Sequence, residues 1–153
     1  MDGCYMLTPK AEVKLRLSLL VAILCVSSAG CHRHSSLREP LRKVVQSGAT
    51  QWNISGISDF DWEDLFVFGP YTPKDAECQT LKHSASQCKS EGLRDVDENE
   101  SLMVFLHDGS VIRVESIPRT IVDFNDNCLN KDFTREIASF FIEKRPRVSI
   151  VCR

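Results

Sequence analysis

The segment SLMVFLHDGSVIRVES, residues 101–116, decides the fold, because it carries the clearest local structural signal in the chain. Its Asp108-Gly109 dipeptide is typical of a two-residue type I′ turn, and apolar residues lie on both sides of it. The segment therefore predicts a β-hairpin. The register that the turn would set gives the hairpin one apolar face, made of Met103, Phe105, Ile112 and Val114.

The residues upstream of the hairpin predict a strand, a corner and a helix. Leu65–Phe68 is a continuous run of apolar, β-favouring residues, which suits a strand that is buried on both faces. A Gly-Pro pair ends the run, and Thr72 offers a hydroxyl that would cap a helix over residues 73–83. Residues 44–57 alternate weakly between apolar and polar side chains, so they predict a further strand.

The residues downstream of the hairpin predict two more strands and a second helix. A short strand is expected over Thr120–Phe124, and Asn130 is in position to cap a helix over Lys131–Lys144. The apolar stripe of that helix would consist of Phe133, Ile137, Phe140 and Phe141. Residues 147–152 predict a closing strand. The resulting fold class is α+β, with an antiparallel sheet of five or six strands and two helices packed on one face.

The first thirty residues have the layout of a secretory signal peptide. Basic residues precede the apolar run 17–26, and small residues follow it at 27–30. The charge-free stretch 17–31 holds 15 residues, so as a helix it would reach about 22 Å against a hydrocarbon core of about 30 Å. This length favours a cleaved signal over a retained membrane span.

The segment SSAGC, residues 27–31, resembles the lipobox of bacterial lipoproteins. The resemblance implies that Cys31 carries the lipid anchor, with fatty acyl chains such as palmitate, and becomes the first residue of the mature chain. His32 in the next position implies the periplasmic face of the outer membrane, if the cell is Gram-negative. The alternative is ordinary cleavage after Ala29, which would release an unlipidated secreted or periplasmic protein.

Seven cysteines in 153 residues favour an oxidising compartment. Cys4 and Cys25 would leave with the signal peptide, and lipidation would occupy Cys31. Four would then remain for two disulfides by one of three pairings, namely Cys78, Cys88, Cys128 and Cys152. A bridge between the first two would anchor the polar loop 84–100, and a bridge between the last two would attach the C-terminal helix to the sheet.

The domain organisation follows from these features. Residues 1–30 are the expected signal peptide, 31–43 a polar lipidated tether, and 44–153 a single globular domain. The net charge of −2 argues against nucleic acid as a partner. The expected partners are the membrane, through the lipid anchor, and an envelope protein or ligand that the sequence does not identify.

The sequence offers few residues that could act in catalysis or bind a metal ion. Four carboxylates precede the apolar strand, and they would serve a hydrolase if they faced one substrate: Asp59, Asp61, Glu63 and Asp64. The four histidines, His32, His34, His83 and His107, lack zinc-site spacing with the cysteines, so no metal site and no cofactor are predicted. No catalytic motif is present, and an enzyme is not expected.

The segment WEDLFVFGPYT is the most distinctive internal feature, and its Trp62 and Tyr71 form a candidate binding surface. Residues 61–73 are similar to a segment of small uncharacterised bacterial lipoproteins, a resemblance that implies an envelope context and no particular activity. The sequence therefore favours a membrane-anchored envelope lipoprotein with a small non-catalytic binding domain. The alternatives are an accessory lipoprotein without a ligand site, a hydrolase that uses the four carboxylates, and a secreted eukaryotic domain glycosylated at Asn53 and Asn99.

Overall fold

The computed structural model describes residues 36–144 and 148–152, which contain three α-helices and eight β-strands. The helices are α1 (Arg38–Gln46), α2 (Lys74–Thr80) and α3 (Ala85–Ser90). The strands are β1 (Gln51–Asn53), β2 (Asp64–Phe68), β3 (Glu100–His107), β4 (Ser110–Pro118), β5 (Asp123–Phe124), β6 (Asp132–Thr134), β7 (Ser139–Glu143) and β8 (Ser149–Val151). Short 3₁₀ turns cover Ile54–Gly56 and Asp126–Cys128. The predicted signal peptide and Cys31 lie outside the described residues.

The strands form two four-stranded sheets, whereas the sequence predicted one sheet of five or six strands. Sheet 1 has the order β4-β3-β2-β6, and its neighbouring strands are antiparallel. Sheet 2 has the order β1-β7-β8-β5, in which β5 and β8 are parallel and the other pairs are antiparallel. The mixture of helices and strands confirms the α+β class, but the expected single sheet is wrong.

Sheet 1 buries apolar side chains on both of its faces. One face shares a core with sheet 2 and α1, and this larger cluster includes Leu41, Leu65, Phe105, Phe140 and Ile150. The other face packs against α2, α3 and the segment that follows them, through Phe68, Cys78, Cys88, Leu93, Leu102 and Val104. The apolar run of β2 contributes to both clusters, as the sequence predicted, so β2 is a central strand.

The predicted hairpin is present, but its register changes after the first two residue pairs. Asp108 and Gly109 have φ values of +49° and +66°, as a type I′ turn requires. A β-bulge then makes Phe105 pair with Arg113 in place of Ile112. The predicted apolar face is therefore wrong on β4, where Ile112 is 45% exposed and Val114 pairs with Val104 on the opposite face.

The bulge turns two charged residues of β4 toward the face that carries Phe105. Arg113 and Glu115 form an ion pair whose side chains are only 13% and 10% exposed. The Arg113 guanidinium lies 4.5 Å from the centre of the Phe60 ring, and Ser36 donates a hydrogen bond to Glu115. A charged pair thus lies where the sequence predicted an apolar surface.

The predicted helix over Lys131–Lys144 is wrong, because these residues form β6 and β7. Asn130 does not cap a helix. It has a φ of +57°, and its N–H donates to the Val67 carbonyl at 2.8 Å. Phe133 and Phe140 are both buried, with ring centres 5.4 Å apart, because the two strands face the same core. Ile137, in the connection between these strands, is 63% exposed.

Within the described residues, the predicted tether over 31–43 is wrong from Arg38 onward, where α1 begins. Leu37 and Leu41 are buried in the larger core, one helical turn apart, so the segment is anchored by packing. Pro40 fits in the first turn, where its missing N–H would have no helical partner. The strand predicted over 44–57 is limited to β1, since α1 extends to Gln46, residues 47–50 form a connecting turn, and a 3₁₀ turn follows β1.

Helix α2 forms where a helix was predicted, but it is shorter and Thr72 does not cap it. Thr72 donates its hydroxyl to the Gly69 carbonyl, and the first helical N–H, that of Lys74, donates to Asp95 Oδ1 at 2.8 Å. The predicted loop 84–100 contains α3, which opens with a capping box between Ser84 and Gln87. The strand predicted over 120–124 is reduced to β5.

Candidate functional site

Tyr71 lies in the turn between β2 and α2, and it is 72% exposed. Its φ of +64° places a bulky residue in the left-handed region. The N–H of Tyr71 donates to the Val96 carbonyl at 2.9 Å, and the N–H of Val96 donates to the Thr72 carbonyl at 2.9 Å. These two bonds hold the turn against the segment before β3, so the ring is presented at the surface from a fixed backbone.

The ring lies beside an open cleft of about 680 Å³, which we term the Tyr71 cleft. Its walls come from α1, the turn of Tyr71, the segment before β3 and the end of β4. The lining residues are Arg38, Tyr71, Val96, Asp97, Glu98, Asn99, Glu100, Ser116 and Pro118. A second cavity of about 430 Å³ also includes Asn99 in its lining.

Carboxylates dominate the electrostatics of the Tyr71 cleft. The Tyr71 hydroxyl donates to Glu98 Oε2 at 2.9 Å, and this hydrogen bond and the negative charge of Glu98 raise the pKa of Tyr71. Burial acts to raise the pKa of Glu100, but hydrogen bonds from Ser116 and Arg94 outweigh it and hold that pKa below its usual range. Glu100 is therefore ionised across the neutral pH range.

The guanidinium groups around the cleft are engaged with protein acceptors. Arg38 Nε donates to the Ser116 carbonyl at 2.8 Å. Arg119 forms a two-pronged contact with Asp123, at 2.8 and 2.7 Å, and this hydrogen bonding raises the pKa of Arg119. The lining thus presents an aromatic ring with three carboxylates and one guanidinium. Such a surface suits a ligand that carries hydroxyl or amine donors.

Trp62, the second residue of the predicted binding surface, is buried, so this part of the prediction is wrong. The residue is 1% exposed, its ring packs edge-on against Phe105, and Nε1 donates to the Ser58 hydroxyl at 2.9 Å. Because all of its surface is used in the core, Trp62 cannot contact a ligand. Tyr71 is the residue of the pair that remains available.

The carboxylates that precede β2 have separate partners. Asp61 pairs with Arg135, whose guanidinium also lies 5.7 Å from the centre of the Trp62 ring. Glu63 Oε2 accepts a hydrogen bond from the N–H of Asp108 at 2.8 Å. These two side chains are thus fixed by different elements of the fold.

The other two carboxylates predicted for a hydrolase, Asp59 and Asp64, also lie in different surroundings. Asp59 lies 4.0 Å from Arg113 Nη1. Asp64 is in β2, and its pKa is raised by burial and, to a lesser degree, by the charges of Asp132 and Glu63. Acid–base hydrolysis needs two carboxylates that face one substrate. The observed dispersal therefore gives no support to the hydrolase alternative.

The four cysteines of the described residues form two disulfides. Cys78 in α2 is bonded to Cys88 in α3, and Cys128 is bonded to Cys152 directly after β8. The second bridge links the 3₁₀ turn that follows β5 to the residue that follows β8, whereas the sequence predicted that it would attach a helix. Cys31, His32 and His34 lie outside the described residues.

Comparison with family models, curated proteins and solved structures finds no match to this chain. Within residues 36–144 and 148–152, no helix combines the length and the apolar character needed to cross a bilayer.

The sequence did not reveal most of the Tyr71 cleft. Glu98, Asn99 and Glu100 lie where a polar loop was expected, and Arg38 lies where a tether was expected. The available signal was the length of the polar stretch after Cys88, because a long surface segment needs anchoring and commonly carries function.

Proposed function

We propose that the chain is a bacterial envelope lipoprotein, anchored through Cys31, whose domain binds a partner without catalysis. The signal-like residues 1–30 and the small residues before Cys31 support the anchor. His32 after the anchor supports the periplasmic face of the outer membrane in a Gram-negative cell. The unlipidated secreted or periplasmic form is the alternative that the experiment below distinguishes.

The main observation behind the proposal is that all four cysteines downstream of Cys31 form disulfides. Cys78–Cys88 closes a short loop, and Cys128–Cys152 joins residues 24 positions apart. Such bonds persist outside the reducing cytosol. In the proposed mature chain, Cys31 is then the one cysteine that does not take part in these bridges, and it supplies the thiol that the lipid modification needs.

The proposed binding surface is the Tyr71 cleft. It combines an exposed ring, whose backbone is held in place by Val96, with the oxygen acceptors of Asp97, Glu98 and Glu100. The partner is accordingly expected to present amine or hydroxyl donors. Glu98 and Glu100 already accept hydrogen bonds from Tyr71 and Ser116, and each carboxylate has further acceptor sites that a partner could use.

The anchor is tested by mass spectrometry of the mature amino terminus and by incorporation of labelled palmitate. The native chain is expected to begin at acylated Cys31 and to carry label, and the Cys31→Ser variant is expected to lose it. Cys25→Ser is the matched control, since it removes a cysteine from the expected signal, and it should still be labelled. An unmodified chain that begins at Gly30 would show the secreted alternative to be correct.

The binding surface is tested with a photo-crosslinking phenylalanine analogue at position 71, introduced in the native host. A defined adduct is expected from this position, and an analogue at the exposed Ile137 is the control. Adducts that are identical from both positions, or none from position 71, would contradict binding at the cleft. Recovery of reduced, full-length protein from the cytosol would refute the whole proposal.

A further inference from the structure

Three donor side chains come together at the turn end of the β3–β4 hairpin. His107 ends β3, Asp108 opens the turn, and Glu63 precedes β2, the neighbouring strand. The N–H of Glu63 donates to the Leu106 carbonyl at 2.8 Å, and the N–H of Asp108 donates to Glu63 Oε2 at 2.8 Å. Glu63 is thus fixed against the turn by the backbone, although it is 45 residues from Asp108 in the sequence.

The distances between the donors leave room for an ion. One donor atom from each of Glu63, His107 and Asp108 lies within 4.8 Å of the others. His107 Nδ1 lies 4.0 Å from Glu63 Oε1, and His107 Nε2 lies 3.8 Å from Asp108 Oδ2. Both separations exceed a hydrogen bond. The two distances start from different ring nitrogens, and one ion binds only one of them. Two ligands of one zinc ion, each bound at about 2.0–2.2 Å, lie about 3–4 Å apart, so the three donor atoms that now lie within 4.8 Å of one another would have to move slightly closer.

The imidazole has an unsatisfied atom on the side of Glu63. His107 Nδ1 is shielded from solvent and makes no hydrogen bond with any described group. A buried polar atom without a partner is costly, and a metal ion would satisfy it. The carboxylates are the more exposed groups, at 51% for Glu63 and 87% for Asp108, so water has access to the remaining coordination positions.

We propose that Glu63, His107 and Asp108 bind one divalent transition-metal ion, with Zn²⁺ as the best fit. One imidazole nitrogen and two carboxylate oxygens suit Zn²⁺, whereas Ca²⁺ takes six to eight oxygen ligands. The two carboxylates balance the charge of the ion, and the neutral imidazole adds none. The sequence predicted no metal site, because spacing along the chain does not reveal that β2 lies beside the hairpin. Bound metal would join the turn to the residues that precede β2.

The test is isothermal titration calorimetry, in which ZnCl₂ is added to the full-length protein. The protein is purified in detergent with a tag that contains no histidine. One saturable equivalent is expected. His107→Gln should lower the affinity at least about tenfold, and Glu63→Gln and Asp108→Asn should also weaken it. Asn is chosen because it tolerates the left-handed backbone of position 108. Thermal melts with a chelator present would establish that each variant is folded.

A double variant, His32→Gln with His34→Gln, controls for zinc held by the residues after Cys31, and it should bind as the native chain does. His83 is not suitable as a control, since its Nε2 lies 3.1 Å from the Gly109 carbonyl within the same turn. A second readout is the set of imidazole ¹⁵N resonances, in which Zn²⁺ should shift those of His107. No saturable binding up to about 1 mM Zn²⁺, or unchanged affinity in folded His107→Gln, would overturn the proposal.

Discussion

Replacing Glu77 with glutamine should raise the free energy of unfolding of the domain at alkaline pH and change that free energy little at acid pH. Glu77 is in α2 and is fully buried, with 0% exposure. Burial raises the pKa of Glu77 to about 7, against the opposing effects of the Arg94 backbone N–H and the charges of Arg94 and Lys74. The nearby charge of Asp95 acts in the same direction as burial.

The sign of the effect follows from proton linkage. The carboxyl has an ordinary pKa of 4.5 in the unfolded chain and a pKa of about 7 in the fold, so the folded state holds its proton more tightly. Its contribution to stability is complete below the unfolded value and is lost as the pH rises through the folded value. The difference between 4.5 and about 7, at about 1.4 kcal/mol for each pKa unit, amounts to a loss of about 3 kcal/mol above neutral pH. Glutamine cannot ionise, so the variant avoids this loss.

The measurement is urea unfolding followed by tryptophan fluorescence, with the disulfides intact, between about pH 4 and about pH 9. The free energy of unfolding of Glu77→Gln should exceed that of the native chain by about 3 kcal/mol near pH 8 and should approach it near pH 4. Glu143→Gln is the matched control, since Glu143 is exposed on β7, and its difference from the native chain should stay small at every pH. An unfolding free-energy difference for Glu77→Gln that does not change with pH would refute the reasoning.

Three further substitutions test other parts of the fold. Changing Cys128 and Cys152 to serine should cost about 3 kcal/mol in non-reducing urea titrations, because the bridge closes a 24-residue separation; no loss would contradict that role. Trp62→Ala should cost about 3–5 kcal/mol because the ring is buried, whereas Ile137→Ala at an exposed position should stay within about 0.5 kcal/mol. Equal losses in these two variants would refute the assigned burial. Gly109→Ala should cost about 1–2 kcal/mol in thermal melts, because its φ is +66°, and an unaffected melt would argue against the type I′ turn.

Structure could be predicted from the sequence where a local motif by itself determines the backbone conformation. Asp108-Gly109 requires two positive φ values, and the turn forms as predicted. The register of β3 and β4 beyond the turn could not be predicted from the residues of the hairpin alone. The extra residue, Ile112, is tolerated because Arg113 and Glu115 are satisfied by each other and by Phe60 and Ser36, and those residues are distant in the sequence.

The structure differs most from the prediction over residues 131–144. The apolar residues there have a helical spacing by coincidence. Phe133 and Phe140 are seven residues apart, which fits two helical turns and also fits two short strands joined by a turn. The left-handed backbone at Asn130 and the exposure of Ile137 show which solution the chain adopts. Long-range pairing with β2 and β8 decides the outcome, and no local pattern contains that information.

The candidate site could likewise be predicted only in part, because the Tyr71 cleft is built from segments that are distant in the sequence. The aromatic side chain of Tyr71 predicts a binding residue, yet Trp62 is also aromatic and is buried. The difference arises from the positive φ of Tyr71 and its backbone bonds to residues around Val96, which direct one ring outward while the other packs on Phe105. The remaining lining residues come from three separate segments.

The position of β8 has a consequence for biosynthesis. This strand lies between β7 and β5, so sheet 2 cannot close before residues 149–151 have been translated, after all the other described strands. A ribosome-bound intermediate would hold β5 without its neighbour and leave one edge of β7 open to other chains. The four strands of sheet 1 have all been translated by residue 134, so that sheet can pair while sheet 2 is still incomplete.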